Sequence, residues 1–310
     1  MGGAKAGPVM TGMLFLGPKA WVRRGVGRLP GVTLPSPLHD RTVLITGASS
    51  GIGEATARAV AERGGVPLLV ARRADELARV VQAIEQTGAR AFAYPCDLTD
   101  GPAADRLVQR VLAEHRGVDM LVNNAGRSIR RSLALSHSRV HDFERTMAIN
   151  YVAPVRLILG LLPQMAERGS GHVVNVLTWG VQIKAPKFAA YIASKTALDT
   201  FSRIAGRETY GDGVTFTNVR LPLVRTDMIG PTDTYRHSRA LSVDQAAARV
   251  VRALEDRPLT INTGVGNVAG ILNVLAPRLS DALSHAGARR FPDSRAAARS
   301  GREGTAGHVG

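Results

Sequence analysis

Thr42-Val43-Leu44-Ile45-Thr46-Gly47-Ala48-Ser49-Ser50-Gly51-Ile52-Gly53, followed by residues 54–63, is the stretch whose reading decides the fold. The first five residues form a β-branched apolar run of strand length, the glycine cluster reads as a turn, and residues 54–63 read as a helix. Strand, glycine turn and helix in that order give a Gly-rich motif its meaning. Glycines let the backbone approach a pyrophosphate with no Cβ in the way. The start of a helix offers unpaired N–H groups and the positive end of its dipole to the same anion. Gly47, Ser49, Ser50, Gly51, Ile52 and Gly53 are therefore expected to hold the phosphates of a dinucleotide.

Working outward, strands are expected at residues 66–70, 89–94, 120–122, 172–176 and 214–221, with helices at 74–87, 103–115, 143–162 and 193–210. A further helix begins at Ser242, a short last strand fits 258–261, and residues 268–283 form an apolar helical region. Alternating strands and helices of this length make right-handed β-α-β units, hence a doubly wound α/β fold with a central parallel sheet and helices on both faces. The second strand runs into Arg72-Arg73. An acidic residue there would hold a free ribose diol, whereas arginines accommodate a 2′-phosphate, so the pair points to NADP(H). A solvated pair at a strand end is the plainer alternative. Asp97 and Leu98 follow the third strand, where the carboxylate can reach an adenine amine.

Tyr191-Ile192-Ala193-Ser194-Lys195 places a phenol and an ammonium four positions apart. On a helix those positions share a face, so Lys195 can favour the phenolate and bring Tyr191 toward a pKa useful for proton exchange with a carbonyl or alcohol oxygen. Read alone, the pair is more simply a Tyr/Lys pair on a helix surface, and only the motifs around it decide otherwise.

The chain has 310 residues, 45% hydrophobic and 5% aromatic, enough for one large domain with a substantial core. One cysteine, Cys96, excludes an internal disulfide framework and a multi-cysteine metal site, so no metal is expected, and it fits a reducing cytosol as a small buried hydrophobe. The net charge is +15 and the pI near 11.1. The arginines are scattered in short knots rather than gathered in a basic stripe with aromatics, so nucleic acid is not an expected partner. Residues 1–40 read as a flexible or surface-associating arm. Its apolar run at 9–16 is too short to span a bilayer, and no clean A-x-A cleavage site follows. Residues 41–292 read as the single domain, and 293–310 as a disordered tail rich in Ala, Arg, Gly and Ser.

Thr46-Gly47-x-x-x-Gly51-x-Gly53, Asn123-Asn124-Ala125-Gly126 and Tyr191-x-x-x-Lys195, in this order, resemble the short-chain dehydrogenase/reductase family across residues 41–228. The resemblance implies a Rossmann fold, a glycine turn that cradles the pyrophosphate, and a turn of Asn124, Ala125 and Gly126 that lies over the adenosine and ties neighbouring strands. It makes Tyr191 the acid/base and gives Lys195 the nicotinamide ribose. It also gives Asn150 a helix distortion holding a water linked to the lysine. Read without it, Asn150 is a polar residue in an apolar helix, with core packing or a kink near Pro154 as the simple account. Thirteen residues before the tyrosine the family usually has serine, and here Thr178 keeps the hydroxyl but adds a methyl. Thr226 matches the hydroxyl that meets the nicotinamide carboxamide, the usual Pro-Gly before it is Pro222-Leu223, and residues 229–240 match a substrate lid.

Longer runs narrow the resemblance. Residues 123–131, 141–147 and 222–232 are similar to the bacterial fatty acyl-CoA reductase branch, which implies NADPH-dependent reduction of long-chain acyl-CoA to aldehyde. Arg127, Arg130 and Arg131 suit an anionic coenzyme A. A ketone or alcohol oxidoreductase of the same fold stays open, as does a non-catalytic cofactor-binding regulatory protein. The family's habit adds a homodimer or tetramer, and the location expected is cytoplasmic with a peripheral membrane contact left open.

Overall fold

The computed structural model describes residues 35–226, 240–289 and 293. The expected strand–turn–helix opens it: β1 (Thr42–Thr46) leads through the glycines into α1 (Gly51–Ala61). The helix starts at Gly51, three residues before the apolar periodicity shows it, because the first turn is made of the glycines themselves. There follow β2 (Val66–Ala71), α2 (Ala74–Glu85), β3 (Phe92–Pro95), α3 (Gly101–His115) and β4 (Met120–Asn123). After them come β5 (Gly171–Thr178), β6 (Val214–Leu221) and β7 (Thr260–Ile261). All pairings are parallel, in the order β3-β2-β1-β4-β5-β6-β7, so the chain winds outward from β1 to β3 and returns to build the other half from β4. β3 begins at Phe92 rather than residue 89, since its pairing with β2 starts only at Leu68↔Phe92.

Side chains alternate across a strand, so the sheet divides its apolar residues between two cores. Val43 and Ile45 point to one, with Ala57 and Val60 of α1, Leu77 and Val80 of α2, and Val250 and Leu254 of α8 (Val243–Asp256). Leu44 points to the other, with Val108 of α3, Leu157 and Leu161 of α5 (Ala153–Glu167), and Ala205 of α7 (Ala189–Glu208). Burial on both faces is why β1 reads as an unbroken apolar run rather than an alternating one. Each fully buried Val or Leu contributes about 1.5–3 kcal/mol relative to exposure. Ser242 starts α8 as expected: its Oγ accepts from Gln245 N–H while Gln245 Oε1 accepts from Ser242 N–H.

The long helix expected at 143–162 is two helices, α4 (Val140–Met147) and α5, joined by a π-helical turn at Ala148–Val152. Pro154 has no N–H to give the Asn150 carbonyl four residues back, which is the local reason the α ladder breaks there. By length and composition the run Val140–Glu167 could cross a membrane. Leu157, Ile158, Leu161 and Met165 nevertheless pack into the second core. Across the sheet centre, Asn123, Asn175 and Asn218 are register partners on β4, β5 and β6. Asn123 Nδ2 donates to Asn175 Oδ1 at 2.9 Å, and Asn175 Nδ2 to Asn218 Oδ1 at 3.2 Å. Asn218 Nδ2 ends the line on Asp199 Oδ1 at 2.9 Å, and Asp199 in turn holds Arg220.

The apolar C-terminal region is also two helices, α9 (Gly264–Leu275) and α10 (Pro277–Arg289), because Pro277 cannot continue the first. α9 packs on the short α6 (Gly180–Ile183), where Asn273 Nδ2 donates to the Gln182 carbonyl at 2.6 Å. Its outer face leaves Val268, Ile271, Val274 and Leu275 exposed. The expected lid at 229–240, except residue 240, lies outside the described residues, as do the arm up to residue 34 and the tail beyond 293. The two strand-like ends that flank the lid are joined, Val224 bridging Leu241.

Candidate active site

The direction of winding reverses between β1 and β4, and a crevice opens at the carboxyl ends of the strands there, the place where doubly wound sheets bind ligands. A cleft of about 1050 Å³ fills it, lined by Gly47, Ser49, Ser50, Gly51 and Ile52 at the turn, and by Arg72, Arg73, Asp97 and Leu98 beyond it. Asn124, Ala125, Gly126, Thr178, Tyr191, Lys195 and Thr226 line the rest. The structure thus brings together all the residues expected from sequence except Gly53 and Asn150, which stand behind the wall.

Gly47 and Gly51 adopt φ of +65° and +55°, the left-handed region that favours glycine. A Cβ on Gly47 would stand 2.9 Å from Ala125 Cα, and one on Gly53 would fall 2.2 Å from the Gly47 carbonyl oxygen. Gly53 therefore serves by letting α1 close on the turn, not by lining the cleft. Ser50 is the N-cap but its side chain caps nothing, so the first N–H groups of α1 face the cleft without a side-chain acceptor. Asn124 ties the turn to β1: its Nδ2 donates to Thr46 O at 2.9 Å, and the Asn124 and Ala125 N–H groups both donate to Thr46 Oγ1 at 3.0 Å.

Arg72 and Arg73 are exposed at the end of β2, and Arg73 Nη2 approaches Ser49 Oγ at 3.5 Å. Sequence reasoning missed Arg79, one turn into α2. It pairs with Glu54 Oε2 at 2.8 Å and donates to the Ser49 carbonyl at 3.4 Å, bracing the phosphate turn from outside. Asp97 Oδ1 accepts from the Thr99 hydroxyl at 2.7 Å and Thr99 N–H at 2.9 Å, and these bonds hold its carboxyl below the usual range. These elements fit a phosphorylated dinucleotide: a cradle that a Cβ would fill, an open helix start, and two cations at the far end.

At the other end, Thr178 closes β5 and Tyr191 sits in the first turns of α7. Thr178 Oγ1 accepts from Gly180 N–H at 3.1 Å, and its hydroxyl shares the cleft with the Tyr191 phenol. Burial pushes the Tyr191 phenol up to about 12, with the neighbouring Thr178 hydroxyl opposing the rise. The phenol stays partly open to the cleft, so solvent or ligand there tempers that rise. Lys195 is 3% exposed, and burial pushes its ammonium down to about 8. Its Nζ donates to the Val176 carbonyl at 2.9 Å. In this structure the Lys195 ammonium is engaged by the strand behind it, and desolvation is the main influence on the Tyr191 phenol.

Asn150 is fully buried in the π turn. Its Oδ1 accepts from Arg127 N–H at 2.8 Å, and its Nδ2 donates to Arg127 O and to Ser194 Oγ, both at 2.9 Å. Ser194 Oγ passes the link to the Tyr191 carbonyl at 2.7 Å. A Cβ on Gly126 would meet Asn150 Oδ1 at 2.9 Å and Lys195 Nζ at 3.4 Å, so these three meet with no room to spare. Ser194 went unnoticed in sequence although it precedes Lys195. So did the apolar wall of Trp179, Ala185, Phe188, Ile192 and Leu223, for which Phe188 and Ile192, flanking Tyr191 on its helix, were the available signal. Cys96 lies in the wall as a buried thiol that desolvation pushes up, which removes it as a ready nucleophile.

The geometry has counterparts among known proteins. Residues 41–236 match the family model for short chain dehydrogenases. A fatty acyl-CoA reductase of Acinetobacter baylyi is 47% identical over 260 residues, 84% of this chain and 88% of that one. The crystal structure of a short-chain dehydrogenase from Streptomyces avermitilis superposes with a TM-score of 0.69 at 30% identity, over 82% of this chain and all of that one. A metagenomic short-chain oxidoreductase in complex with NADP does so at 0.61 and 29% identity, over 71% and 92%. The motif resemblance, including that to the acyl-CoA reductase branch, is thereby matched along the chain. With the parallel sheet, the glycine cradle and the Thr178–Tyr191–Lys195 grouping in one cleft, the chain belongs to the short-chain dehydrogenase family of oxidoreductases.

Proposed function

We propose that this oxidoreductase uses NADPH to reduce the thioester carbonyl of a long-chain acyl-CoA to the aldehyde. The observation that carries the reading is a single cleft with two cations at the phosphate end and a threonine hydroxyl, a phenol and a buried ammonium at the other. The 47% identity to a protein named fatty acyl-CoA reductase supports the thioester, and the relative solved with NADP supports the cofactor.

In this reading Arg72 and Arg73 take the 2′-phosphate, the glycine turn and the start of α1 the pyrophosphate, and Thr226 the carboxamide edge, a division that their positions along one cleft support. NADPH, when bound, supplies the hydride. Thr178 and Tyr191 hydrogen-bond the substrate oxygen, and Tyr191 gives it the proton as charge develops there. Lys195 holds the nicotinamide ribose. Its pKa near 8 leaves it mostly charged at neutral pH, and turning its Nζ from the Val176 carbonyl toward the ribose and phenol would favour the phenolate. The tetrahedral hemithioacetal then loses its C–S bond as its hydroxyl proton passes to the departing thiolate, leaving aldehyde and coenzyme A thiol. Cys96 has no part in this.

Residues 41–292 make the catalytic domain in this reading, in a cytoplasmic enzyme. A homodimer or tetramer suits the exposed Val152, Leu159 and Ile204, and a peripheral membrane contact suits the outer face of α9. NADPH oxidation with palmitoyl-CoA, set against a panel of ketones and alcohols, tests the function. Thioester turnover with release of free thiol is expected; turnover of ketones alone would replace the reading with a carbonyl reductase.

A further inference from the structure

The turn at residues 124–126 runs on into a cationic stretch. Residues 127–145 carry Arg127, Arg130, Arg131, Arg139 and Arg145 against Asp142 and Glu144. Arg127 and Arg130 line the cleft. Arg131 N–H donates to the Lys187 carbonyl at 2.7 Å, beside Phe188 in the apolar wall, and Arg131 Nε lies 3.4 Å from Asp142 Oδ2. Asp142 is 2% exposed, and Arg139 Nε at 3.3 Å, His141 Nε2 at 3.5 Å and Arg145 also surround it. Burial pushes the Asp142 carboxyl up, yet the guanidinium groups of Arg139, Arg145 and Arg131 hold it below the usual range. Arg139 and Arg145 thus share one carboxylate, a local surplus of positive charge, and their side chains are 23% and 46% exposed.

This surplus is separate from the groups that suit a dinucleotide, since the glycine turn follows β1 and Arg72 and Arg73 follow β2. The same rim already draws a distant anion. Asp293, remote in sequence, accepts from Ser132 N–H at 3.0 Å with its other oxygen 3.8 Å from Lys187 Nζ. Guanidinium forks match phosphate oxygens in pairs, which ammonium groups do not.

We infer that the arginines around Asp142 bind the phosphates at the nucleotide end of a coenzyme A thioester, while its acyl end enters along Trp179, Phe188 and Ile192. The inference rests on the acyl-CoA reading, and a binding measurement separates the two. Calorimetry on the full chain saturated with NADP⁺ compares coenzyme A with pantetheine, which lacks the nucleotide and its phosphates. Arg139→Gln with Arg145→Gln should weaken coenzyme A about tenfold and leave pantetheine unchanged, and added salt should weaken coenzyme A alone. Glu144→Gln, which removes an exposed carboxylate from the rim and leaves the ion pairs of Asp142 in place, should tighten coenzyme A severalfold. Unaltered coenzyme A affinity in both variants, or equal losses for coenzyme A and pantetheine, would overturn the subsite. Phosphate-dependent binding in a protein that reduces no thioester would leave the subsite standing and remove the acyl-CoA reductase function instead.

Discussion

Lys195→Met should make the cofactor-free protein more stable while destroying its activity. A lysine whose pKa is pushed from 10.5 to about 8 by burial carries its charge at a cost at neutral pH. Over that interval the cost amounts to about 3 kcal/mol at pH 7. Methionine fills a similar volume without charge, but it forfeits the 2.9 Å bond to the Val176 carbonyl, worth about 1 kcal/mol. The net expectation is a gain of about 2 kcal/mol at pH 7. The sign with pH follows from proton counts: between the folded value near 8 and the unfolded value near 10.5 the unfolded chain holds a proton that the folded chain has released. The wild-type protein therefore gains stability as pH rises through that window, and the advantage of the variant should fall to about zero near pH 9.5. Urea unfolding of both proteins at pH 7 and 9.5 measures this. A variant that is less stable at pH 7, or whose advantage does not shrink on raising the pH, refutes the assignment of Lys195 as a charge held against its solvation.

Tyr191→Phe should lower the rate of carbonyl reduction about 10³-fold while NADPH binding, followed by fluorescence titration, stays within twofold; a variant with substantial turnover removes the acid/base role. Arg72→Ala with Arg73→Ala should weaken NADPH about 10- to 100-fold and leave NADH unaffected, and equal changes in the two dissociation constants would end the 2′-phosphate assignment. Thr178→Ser should keep kcat within a few-fold because the hydroxyl survives, whereas Thr178→Ala should lose about 10²-fold. Steady-state rates that do not distinguish serine from alanine would show that the hydroxyl does not position the substrate oxygen.

The sheet and its cleft were legible because their signals are local and physical. Thr42 to Gly53 announces strand, turn and phosphate cradle in one line, and the alternation of apolar runs and helical patterns leaves little freedom in how the rest pairs. What could not be read depends on partners far apart in the chain. The lysine–tyrosine spacing places two side chains on one face, but it does not say that the ammonium would find the Val176 carbonyl nineteen residues earlier. Asn150 looked like a polar blemish in an apolar helix, and its grip on Arg127 and Ser194 exists only once α5 and α7 are packed. Pro154 and Pro277 did carry advance notice. The first accounts for the break at the π turn, and the second splits the C-terminal helical region, where apolar composition alone reads as continuous.

The line of amides from Asn123 through Asn175 to Asn218 acts as a gauge mark ruled across the sheet. Each strand end that feeds the cleft is measured from it: Asn124 lies one residue beyond the mark on β4, Thr178 three beyond on β5, and Leu221 three beyond on β6. A slip of any of these strands by one residue would move its end by about 3.3 Å and turn an amide into a valine-lined core. Misalignment would then leave buried amides without partners, at about 1–3 kcal/mol each. The end of the cleft that holds Thr178 and Tyr191 is thus kept in tolerance by a row of neutral side chains that never reach the cleft, and accuracy there is set in the middle of the sheet rather than at its edge.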